Sequence, residues 1–301
     1  MRYKGLDLNL LHALDVLLEL RNVSRAADRL GLSQSAVSAA LARLRQYFGD
    51  ELLVLDGRRM HATPFAEQMT EPLRVYLSAT DSLLASTRPF DPAATPRTFR
   101  IIASDYVVAA VLVRVAERLA HEAPLLRFEF ISPDEGSLER LKHGTVDLMI
   151  SPRDYLLTTH PTEELYEERI VVAGWDQNPI FARGMTEEDF FAAGHVAVAI
   201  GTHRETTFAD KYMRSLERER RIEAVVSSFT LVPWMLRGTM RLALMHERLA
   251  EVLSHALPIA YTAVPFAFPT MWEVAQYHRT RSTDSGLRYL IDQVRRTAAE
   301  A

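Results

Sequence analysis

Residues 24–48 read SRAADRLGLSQSAVSAALARLRQYF and contain the strongest structural signals of the N-terminal region. Ser24 is positioned to cap a short helix that Gly31 ends in a left-handed conformation, and Ser33 to cap the helix that follows. The second of these helices has an apolar face at helical spacing, made of Val37, Ala40, Leu41, Leu44 and Phe48. Because two short helices joined by a tight turn with glycine form a helix-turn-helix, residues 24–48 predict that motif.

Further elements are predicted on both sides of the motif. Leucines at positions 10, 11, 14, 17 and 18 indicate a preceding helix, with Asp7 or Asn9 as its N-cap. Leu52–Leu55 and Met60–Ala62 indicate two strands around Asp56-Gly57-Arg58-Arg59, in which Asp-Gly is a dipeptide typical of two-residue turns. The motif and the hairpin together predict a winged helix-turn-helix.

A long helix is predicted after the hairpin. Thr63 and Pro64 are the N-cap and first residue that a helix start favours. An apolar stripe then runs to about residue 86 through Phe65, Met69, Leu73, Tyr76, Leu77, Leu83 and Leu84. A lone helix must bury such a stripe against its own protein or a second copy, and Pro72 is expected to kink or weaken one turn. The Pro-rich segment 87–96 predicts a hinge, where we place the domain boundary.

The helix after Ser33 has a second face that suits contact with DNA. Its side chains there are small or hydrogen-bonding, so this helix could enter the major groove, and its start offers backbone N–H groups to a phosphate. Arginines at the hairpin tip could reach the DNA backbone or minor groove. The candidate DNA-binding residues are Ser24, Arg25, Ser33, Gln34, Ser35, Ser38, Ala39, Ala42, Arg43, Arg45, Arg58 and Arg59. The alternative is a solvated face of a three-helix bundle, with two solvated turn arginines.

Charge is distributed unevenly along the 301 residues. The chain has 35 Lys and Arg against 39 Asp and Glu, a net charge of −4 that would argue against a nucleic-acid partner. Residues 1–60, however, have nine basic and seven acidic residues, a net of +2, so the remainder carries −6. The absence of cysteine excludes disulfides, Cys-based zinc sites and a thiol nucleophile. With no long apolar run and no signal peptide, a cytoplasmic location without a membrane partner is expected.

The C-terminal two thirds of the chain alternates strands and helices, which predicts an α/β domain with a parallel sheet covered on both faces. The predicted strands are Arg97–Ala103, Leu126–Ile131, Val146–Ile150, Arg169–Ala173, His195–Ile200, Glu223–Val226 and Arg241–Leu244. The predicted helices are Asp105–His121, Gly136–His143, Thr206–Glu219, Leu231–Leu236 and Ser285–Thr297.

Polar residues recur where these strands end, which is where ligands bind in open α/β sheets. Aromatic side chains near these positions suit a flat, partly polar ligand. The candidate ligand-binding residues are Ser104, Asp105, Tyr106, Ser132, Ser151, Thr202, His203, Phe229, Thr230 and Phe268. Each serine or threonine could equally be a helix N-cap, and each aromatic residue could belong to the core.

Enzyme motifs are missing from the sequence. It contains no Gly-x-Ser-x-Gly, His-Glu-x-x-His, phosphate-binding P-loop or Gly-x-Gly-x-x-Gly pattern. Its ten histidines show no close pairing of the kind that metal ligands have. We therefore expect no catalytic residues, no metal and no cofactor.

Several segments resemble the DNA-binding domain of LysR-type transcriptional regulators: Leu8–Leu11, Ser24–Ala27, Leu32–Ser38, Leu41–Leu44, Phe48, Leu52-Leu53 and Thr63-Pro64. Within that family, Arg2–Leu11 and Ala39–Arg45 resemble the nodulation-regulator (NodD-like) branch. Further along, Leu141 with Gly144–Leu148 matches a pattern that family members carry before the third strand of their effector domain.

The resemblance implies three parts: a winged helix-turn-helix DNA-binding domain at 1–63, a linker and dimerisation helix with hinge at 64–96, and an effector domain at 97–301. The effector domain would be an α/β fold of two lobes, like a type 2 periplasmic binding protein. The first lobe would hold roughly 97–168 with 266–301, and the second roughly 169–265. The inducer would bind between them.

The implied function is a transcriptional regulator, expected to activate, that binds a partly palindromic promoter site as a homodimer or homotetramer and works with RNA polymerase. Members of the NodD-like branch respond to flavonoids and many other members to aromatic acids or phenols, so an aromatic or phenolic inducer is expected. The alternative is a small-molecule-binding protein or enzyme of the same α/β fold, with an N-terminal interaction bundle.

Overall fold

A computed structural model describes residues 2–3, 6–57, 59–85, 90–157, 159–201, 205–216 and 218–300. The chain divides into two compact units, one of Met1–Thr87 with His143–Thr145 and one of Arg88–Lys142 with Val146–Ala301. None of the described helices combines the length and the apolar character that crossing a bilayer requires.

The first unit is a helical bundle with a β-hairpin. In chain order its elements are β1 (Arg2–Tyr3), β2 (Leu6–Asp7), α1 (Asn9–Leu20), α2 (Val23–Leu30), α3 (Gln34–Phe48), β3 (Leu53–Asp56), β4 (Arg59–Ala62) and α4 (Pro64–Ala85). Leu14, Leu17, Val37, Leu44 and Leu53 are fully buried at the centre of its core. Burial of each such leucine contributes about 1.5–3 kcal/mol, which holds the three short helices together.

The caps around the helix-turn-helix agree with the sequence in two places and differ in a third. Gly31 ends α2 with a φ of 64°, and Ser33 Oγ accepts a hydrogen bond from the Ala36 N–H at 3.2 Å, as predicted. The predicted cap Ser24 is wrong, because Asn22 has the extended conformation of an N-cap and its Oδ1 accepts from the Arg25 N–H at 3.0 Å. Asparagine caps as well as serine, so α2 starts earlier.

The start of α1 also differs from the prediction. Leu8 occupies the N-cap position, and no side chain caps there. Asp7 lies one residue further out, where its Oδ1 accepts from the Asn9 N–H at 3.1 Å.

The hairpin strands extend one residue further into the predicted Asp56–Arg59 loop on each side. Asp56 and Arg59 form the last pair of the β3–β4 ladder, so both belong to the strands. Gly57 has a φ of 62°, a conformation that glycine adopts without a steric penalty. Arg58 lies outside the described residues.

The long helix α4 begins as predicted, with the Ala66 N–H donating to Thr63 Oγ1 at 3.1 Å ahead of Pro64. Pro72 lies inside the continuous helix. Ala66 and Leu73 are buried, but Phe65, Tyr76 and Leu83 of the same helix are 40%, 39% and 67% exposed. A single chain therefore covers only part of the apolar residues of α4.

The second unit has two sheets. Its strands are β5 (Arg97–Ile102), β6 (Leu126–Ile131), β7 (Leu148–Pro152), β8 (Thr162–Glu168), β9 (Ile170–Trp175), β10 (Gly194–Ile200), β11 (Glu205–Thr206), β12 (Arg221–Val226), β13 (Leu242–His246), β14 (Ile259–Ala263) and β15 (Met271–Gln276). One sheet has the order β6-β5-β7-β15-β8, and the other has β11-β10-β13-β9-β14 with β12 on β10. The chain passes between the sheets after β8 and again before β15, which gives the two lobes that the family resemblance implies.

Helices cover both sheets. They are α5 (Asp105–Val107), which continues through a π-helical turn at Val108–Leu112 into α6 (Val113–Glu122), then α7 (Ser137–Lys142), α8 (Pro179–Arg183), α9 (Glu187–Ala192), α10 (Phe208–Ser215), α11 (Val232–Leu236), α12 (Glu247–Ser254) and α13 (Ser285–Ala299). Short 3₁₀ turns lie at Arg153–Tyr155, Phe229–Leu231 and Arg279–Arg281.

The predicted all-parallel sheet is wrong, since both sheets are mixed. β15 runs antiparallel to β7 and β8, and β9 runs antiparallel to β13 and β14. The reason is the connection between lobes, because β8 leads directly into β9 and β15 returns from the second lobe to complete the first sheet.

Candidate nucleic-acid interface and candidate ligand cleft

Nine of the predicted DNA-binding residues are exposed on α2, on α3 and in the turn between these helices. These residues, named the reader surface, are Ser24, Arg25, Ser33, Gln34, Ser35, Ser38, Ala39, Ala42 and Arg43. On the opposite face of α3, Val37, Ala40, Leu41 and Leu44 are buried in the bundle. The α3 side chains that point away from the core are therefore short along most of the helix, which allows close approach to a groove.

The N-terminal end of α3 is the polar end of the reader surface. Ser33 Oγ lies 3.0 Å from Ser35 Oγ and accepts from the Ala36 N–H. The backbone N–H groups of Gln34 and Ser35 lie in the first turn, where they have no carbonyl partner within the helix. This exposed end can donate to a phosphate, with the helix dipole favouring the anion.

Arg45, another predicted DNA-binding residue, is bound to the backbone of the hairpin region. Its side chain is half-buried, with Nε donating to the Glu51 carbonyl at 2.8 Å and Nη2 to the Leu53 carbonyl at 2.5 Å. The guanidinium thereby joins α3 to the first strand of the hairpin. Arg43, by contrast, is exposed and has no bonding partner among the described residues. The side chain of Arg59 and the whole of Arg58 lie outside what the structure describes.

The base of the hairpin is fixed to the start of α4. Asp50 Oδ1 accepts from the Leu52 N–H at 2.7 Å and from Thr63 Oγ1 at 2.6 Å. Leu52 is fully buried and has a φ of 59°, a left-handed conformation that costs a non-glycine residue about 1–2 kcal/mol. Asp50 therefore holds a strained residue and both ends of the hairpin with one oxygen.

A cavity of about 390 Å³ lies between the two lobes of the second unit. Of the predicted ligand-binding residues, Ser104, Tyr106, Ser151 and Phe229 line it. Strands of both lobes add apolar walls, among them Met149, Ile150, Val196, Val198 and Leu244. The cavity thus combines apolar strand residues with polar side chains, as small-molecule sites do.

Asp105 and Thr230 do not line the cavity but bind each other across the lobes. The Asp105 carboxylate accepts from Ser228 Oγ at 2.6 Å, from Thr230 Oγ1 at 2.8 Å and from the backbone N–H groups of Thr230 and Phe229 at 2.8 and 3.2 Å. Burial alone would raise the pKa of Asp105, but these hydrogen bonds hold it below its usual value. The carboxylate is therefore a charged latch between the first and second lobes.

The other predicted ligand-binding residues lie elsewhere. Ser132 is exposed next to Pro133, which does line the cavity. Phe268 packs in a separate apolar cluster, with its ring 4.7 Å from that of Tyr212. Thr202 and His203 lie outside the described residues.

Two buried polar residues of the cavity lining, Glu273 and His246, were missed by sequence reasoning. They are 1% and 6% exposed, and both line the cavity. Glu273 Oε2 and His246 Nδ1 have no hydrogen-bond partner among the described residues. His246 could have been found from the strand-end rule had β13 been extended by two residues, whereas no signal marks Glu273 in the unpredicted strand β15.

A second carboxyl group, that of Glu168, influences the pKa of Glu273. Glu168 accepts from the Tyr106 hydroxyl at 2.8 Å and pairs with Arg248 at 3.4 Å. Burial, and next the nearby Glu168 carboxylate, raise the pKa of Glu273 to about 8. Burial lowers the pKa of His246 to about 3. At neutral pH both Glu273 and His246 are therefore uncharged.

Comparison with known families and proteins identifies the family to which the chain belongs. Residues 8–67 match the family described as bacterial regulatory helix-turn-helix protein, lysR family, and residues 92–299 match the LysR substrate binding domain. Nodulation protein D of Bradyrhizobium sp. (strain ANU 289) is 37% identical over 304 residues, covering 100% of this chain and 90% of the relative. Nodulation protein D 1 of Bradyrhizobium sp. (strain NC92) is 38% identical over 284 residues, covering 94% and 90%.

Solved structures agree. A probable transcriptional regulator from Pseudomonas aeruginosa superposes with a TM-score of 0.80 at 29% identity, covering 96% of each chain. Full-length CbnR, solved in complex with its target DNA, has a TM-score of 0.65 at 16% identity, covering 97% of this chain and 100% of CbnR, and shows the shared fold. The matched family consists of regulators, which are not enzymes, so the enzyme alternative is excluded. The chain therefore belongs to the LysR family of DNA-binding transcriptional regulators, on its nodulation protein D-like branch.

Proposed function

We propose that this regulator activates transcription when a small aromatic or phenolic inducer binds between the lobes of its effector domain. The observation that carries the proposal is the cavity of about 390 Å³, which is lined by apolar residues from both lobes together with polar side chains. A cavity of that size accommodates one compact molecule of two or three rings. The relationship to nodulation protein D, whose homologues are activators, supports both the activating role and the aromatic inducer.

We further propose that the reader surface contacts a partly palindromic promoter site, with α3 in the major groove. Ser35, Ser38 and Arg43 are exposed on one side of α3, where they can reach base edges and phosphates. The predicted arginines at the hairpin tip, Arg58 and Arg59, would contact the DNA backbone. Two copies would read half-sites about 10 base pairs apart, as two-fold symmetric helix-turn-helix proteins do.

A homodimer, alone or within a tetramer, is the proposed assembly. Phe65, Tyr76 and Leu83 leave an apolar surface on α4 that water disfavours and a second α4 could cover. The second unit also exposes Val225 on an outer strand and Trp234 on α11, which suits further contacts between copies. RNA polymerase would be the partner through which the bound dimer acts, in the cytoplasm where promoter DNA is found.

Footprinting of the full chain on the DNA upstream of its own gene, with and without hydroxylated flavones, tests this proposal. We expect protection of a partly palindromic site in both states and a changed protection pattern when the flavone is present. A site whose protection does not change with any aromatic compound would contradict the proposal of an aromatic inducer. Absence of a protected site, with binding equal to that of random DNA, would overturn sequence-specific reading.

A further inference from the structure

We infer that Phe90 anchors the C-terminal end of the linker, residues 90–96, to the first lobe of the effector domain, so that this segment moves with the lobe. Phe90 is then a positioning residue: it is not among the described lining residues of the cavity, and it acts through the chain that it holds. The inference goes beyond the proposed function, because it holds whichever molecule binds between the lobes. The hinge predicted at residues 87–96 would then not include residues 90–96.

The first step is the packing of the Phe90 ring. Phe90 is the first described residue of the second unit, and it is half-buried against the largest apolar cluster of that unit. The centroid of its ring lies 5.4 Å from that of Tyr289 on α13, with 46° between the ring planes. Tilted aromatic rings attract each other at this separation, so the Phe90 ring has a preferred position on α13.

The second step is Gly286, which leaves space for the ring. Gly286 is buried in the first turn of α13. A Cβ atom on this residue would lie 3.0 Å from Phe90 Cδ2 and 2.6 Å from Arg97 Nη1, which is too close for either neighbour to stay in place. Helices disfavour glycine, and a close approach of two chain segments is a reason for glycine to occur in one. Gly286 therefore allows α13 and the linker end to touch.

The third step is an ion pair that holds the other end of the segment to the same helix. Arg97 Nη1 and Nη2 donate to the two carboxylate oxygens of Asp284, each at 2.6 Å. Asp284 is the N-cap of α13, where its Oδ1 also accepts from the Leu287 N–H at 3.0 Å. The side chains of Arg97 and Asp284 are only 15% and 2% exposed, so this two-pronged pair is little screened by solvent.

The fourth step is the turn between these two contacts. The Asp91 carbonyl accepts from the N–H groups of Ala94 and Thr95 at 3.2 and 2.9 Å. Asp91 Oδ1 accepts from the Ala93 N–H at 3.0 Å, and the Asp91 N–H donates to Thr95 Oγ1 at 3.2 Å. Such local hydrogen bonds are typical of ordered turns that begin at aspartate. The described part of the predicted hinge is thus a closed turn that is attached to α13 at both ends.

A crosslink tests the inference on the full-length protein, whose lack of cysteine makes introduced thiols the only ones present. Phe90→Cys combined with Tyr289→Cys removes both rings, and a short thiol-reactive crosslinker then restores the attachment covalently. Denaturing electrophoresis checks that the crosslink lies within one chain. The readout is the footprint on the DNA upstream of the gene, without inducer.

The crosslinked and uncrosslinked forms are expected to differ. The crosslinked protein should give the wild-type footprint, because the linker end is held where Phe90 holds it. The uncrosslinked protein should shift at least one boundary of the protected region, because a free linker end no longer fixes the separation of the reader surfaces of two copies.

Single variants separate positioning from packing. Phe90→Ala should shift the same boundary, whereas Phe90→Leu keeps an apolar side chain and should retain the wild-type footprint. Gly286→Ala introduces a better helix former, yet it should shift the boundary as well, because its Cβ meets Phe90 and Arg97. Phe268→Ala is the matched control, since it removes a ring that packs on Tyr212 in the second lobe, and its footprint should not change.

The outcomes are decisive in both directions. A wild-type footprint in Phe90→Ala, or a crosslinked protein whose footprint differs from the wild type, would overturn the inference. If the wild type protects no site, sequence-specific reading fails, and hydrogen exchange of the unaltered protein decides the inference instead, as it does if Phe90→Ala does not fold. The amides of Ala94 and Thr95 should then exchange at least about a hundredfold more slowly than in an unstructured chain. Exchange at the unstructured rate would show that the segment is not anchored.

Discussion

Tyr106 and His246 stack face to face, with 3.6 Å between their ring centroids and 4° between their ring planes. Tyr106 belongs to the first lobe of the effector domain and His246 to the second, so the stack joins the lobes next to the cavity. The Tyr106 hydroxyl continues the connection, because it donates to Glu168 and lies 3.0 Å from the Tyr166 hydroxyl. The two lobes are thus joined by a buried polar and aromatic cluster.

His246 is expected to make the protein less stable as the pH falls. Its folded-state pKa of about 3 lies below the usual value of 6.5, so the unfolded state takes up the proton first. The contribution of His246 to the free energy of unfolding should therefore decrease as the pH falls from about 6.5 towards 3. Urea unfolding of the wild type and of His246→Phe, which keeps a ring against Tyr106, checks this: the variant should lose that part of the pH dependence. An unchanged slope would contradict the assignment to His246.

Glu273 is expected to have the opposite effect on the pH dependence of stability. Its folded-state pKa of about 8 is above the usual 4.5, so its contribution to stability is fully present below 4.5 and is lost as the pH rises through 8. A slope of up to about 1.4 kcal/mol per pH unit is expected between these values. Glu273→Gln should flatten it, and Glu129→Gln, which removes an exposed carboxylate paired with Arg100, serves as the control. Equal slopes in wild type and Glu273→Gln would rule out Glu273 as the titrating group.

Replacing Arg43 by alanine is expected to weaken DNA binding, whereas replacing Arg45 is expected to reduce stability. Arg43→Ala should weaken binding to the promoter site in a mobility-shift assay while leaving stability within about 0.5 kcal/mol, because Arg43 is exposed. Arg45→Ala removes two hydrogen bonds to the Glu51 and Leu53 carbonyls and should destabilise the first unit by about 1–3 kcal/mol. An Arg45→Ala variant of full stability that has lost only sequence specificity would instead make Arg45 a base-reading residue.

Asp50 is expected to be needed for the hairpin. Asp50→Ala leaves the left-handed Leu52 without its hydrogen bond and frees the Thr63 hydroxyl, which should cost about 1–3 kcal/mol in the unfolding of the first unit. Asp50→Asn keeps an acceptor oxygen and should lose less than half of that. The measurement is denaturant unfolding followed by circular dichroism, and equal losses in the two variants would show that charge, not hydrogen bonding, is what matters.

The correctly predicted features are those whose conformation is determined by residues close to them in the sequence. Gly31 and Ser33 act within four residues of themselves, so turn and cap could be inferred, and the same is true of Thr63 at the start of α4. Ser24 was wrong because Asn22, two residues earlier, caps equally well, and propensity does not choose between them. The strand β8 was missed because its four glutamates, at positions 163, 164, 167 and 168, obscure the alternation of apolar and polar residues. The buried Glu168 is stabilised by Tyr106 and Arg248, which reach it only in the folded chain.

The candidate site was predicted in part for the same reason. Ser104, Tyr106, Ser151 and Phe229 follow or begin elements that the sequence shows, and they line the cavity. Asp105, however, meets Ser228 and Thr230 more than 120 residues away, and no local pattern reveals that a carboxylate has its partners there. Glu273 is a charged residue type in a buried strand, which local hydrophobicity would place on the surface.

The latch between Asp105 and the Ser228–Thr230 turn has a consequence for how an inducer is sensed. In a receptor whose lobes move independently, part of the binding free energy is lost in ordering the lobes. Here four hydrogen bonds to Asp105 already hold the two lobes together. With the lobes already bound to each other in this way, the proposed inducer would bind without a large closure of the domain. The concentration at which that inducer acts would then depend on how well it fits the cavity rather than on the ordering of the two lobes.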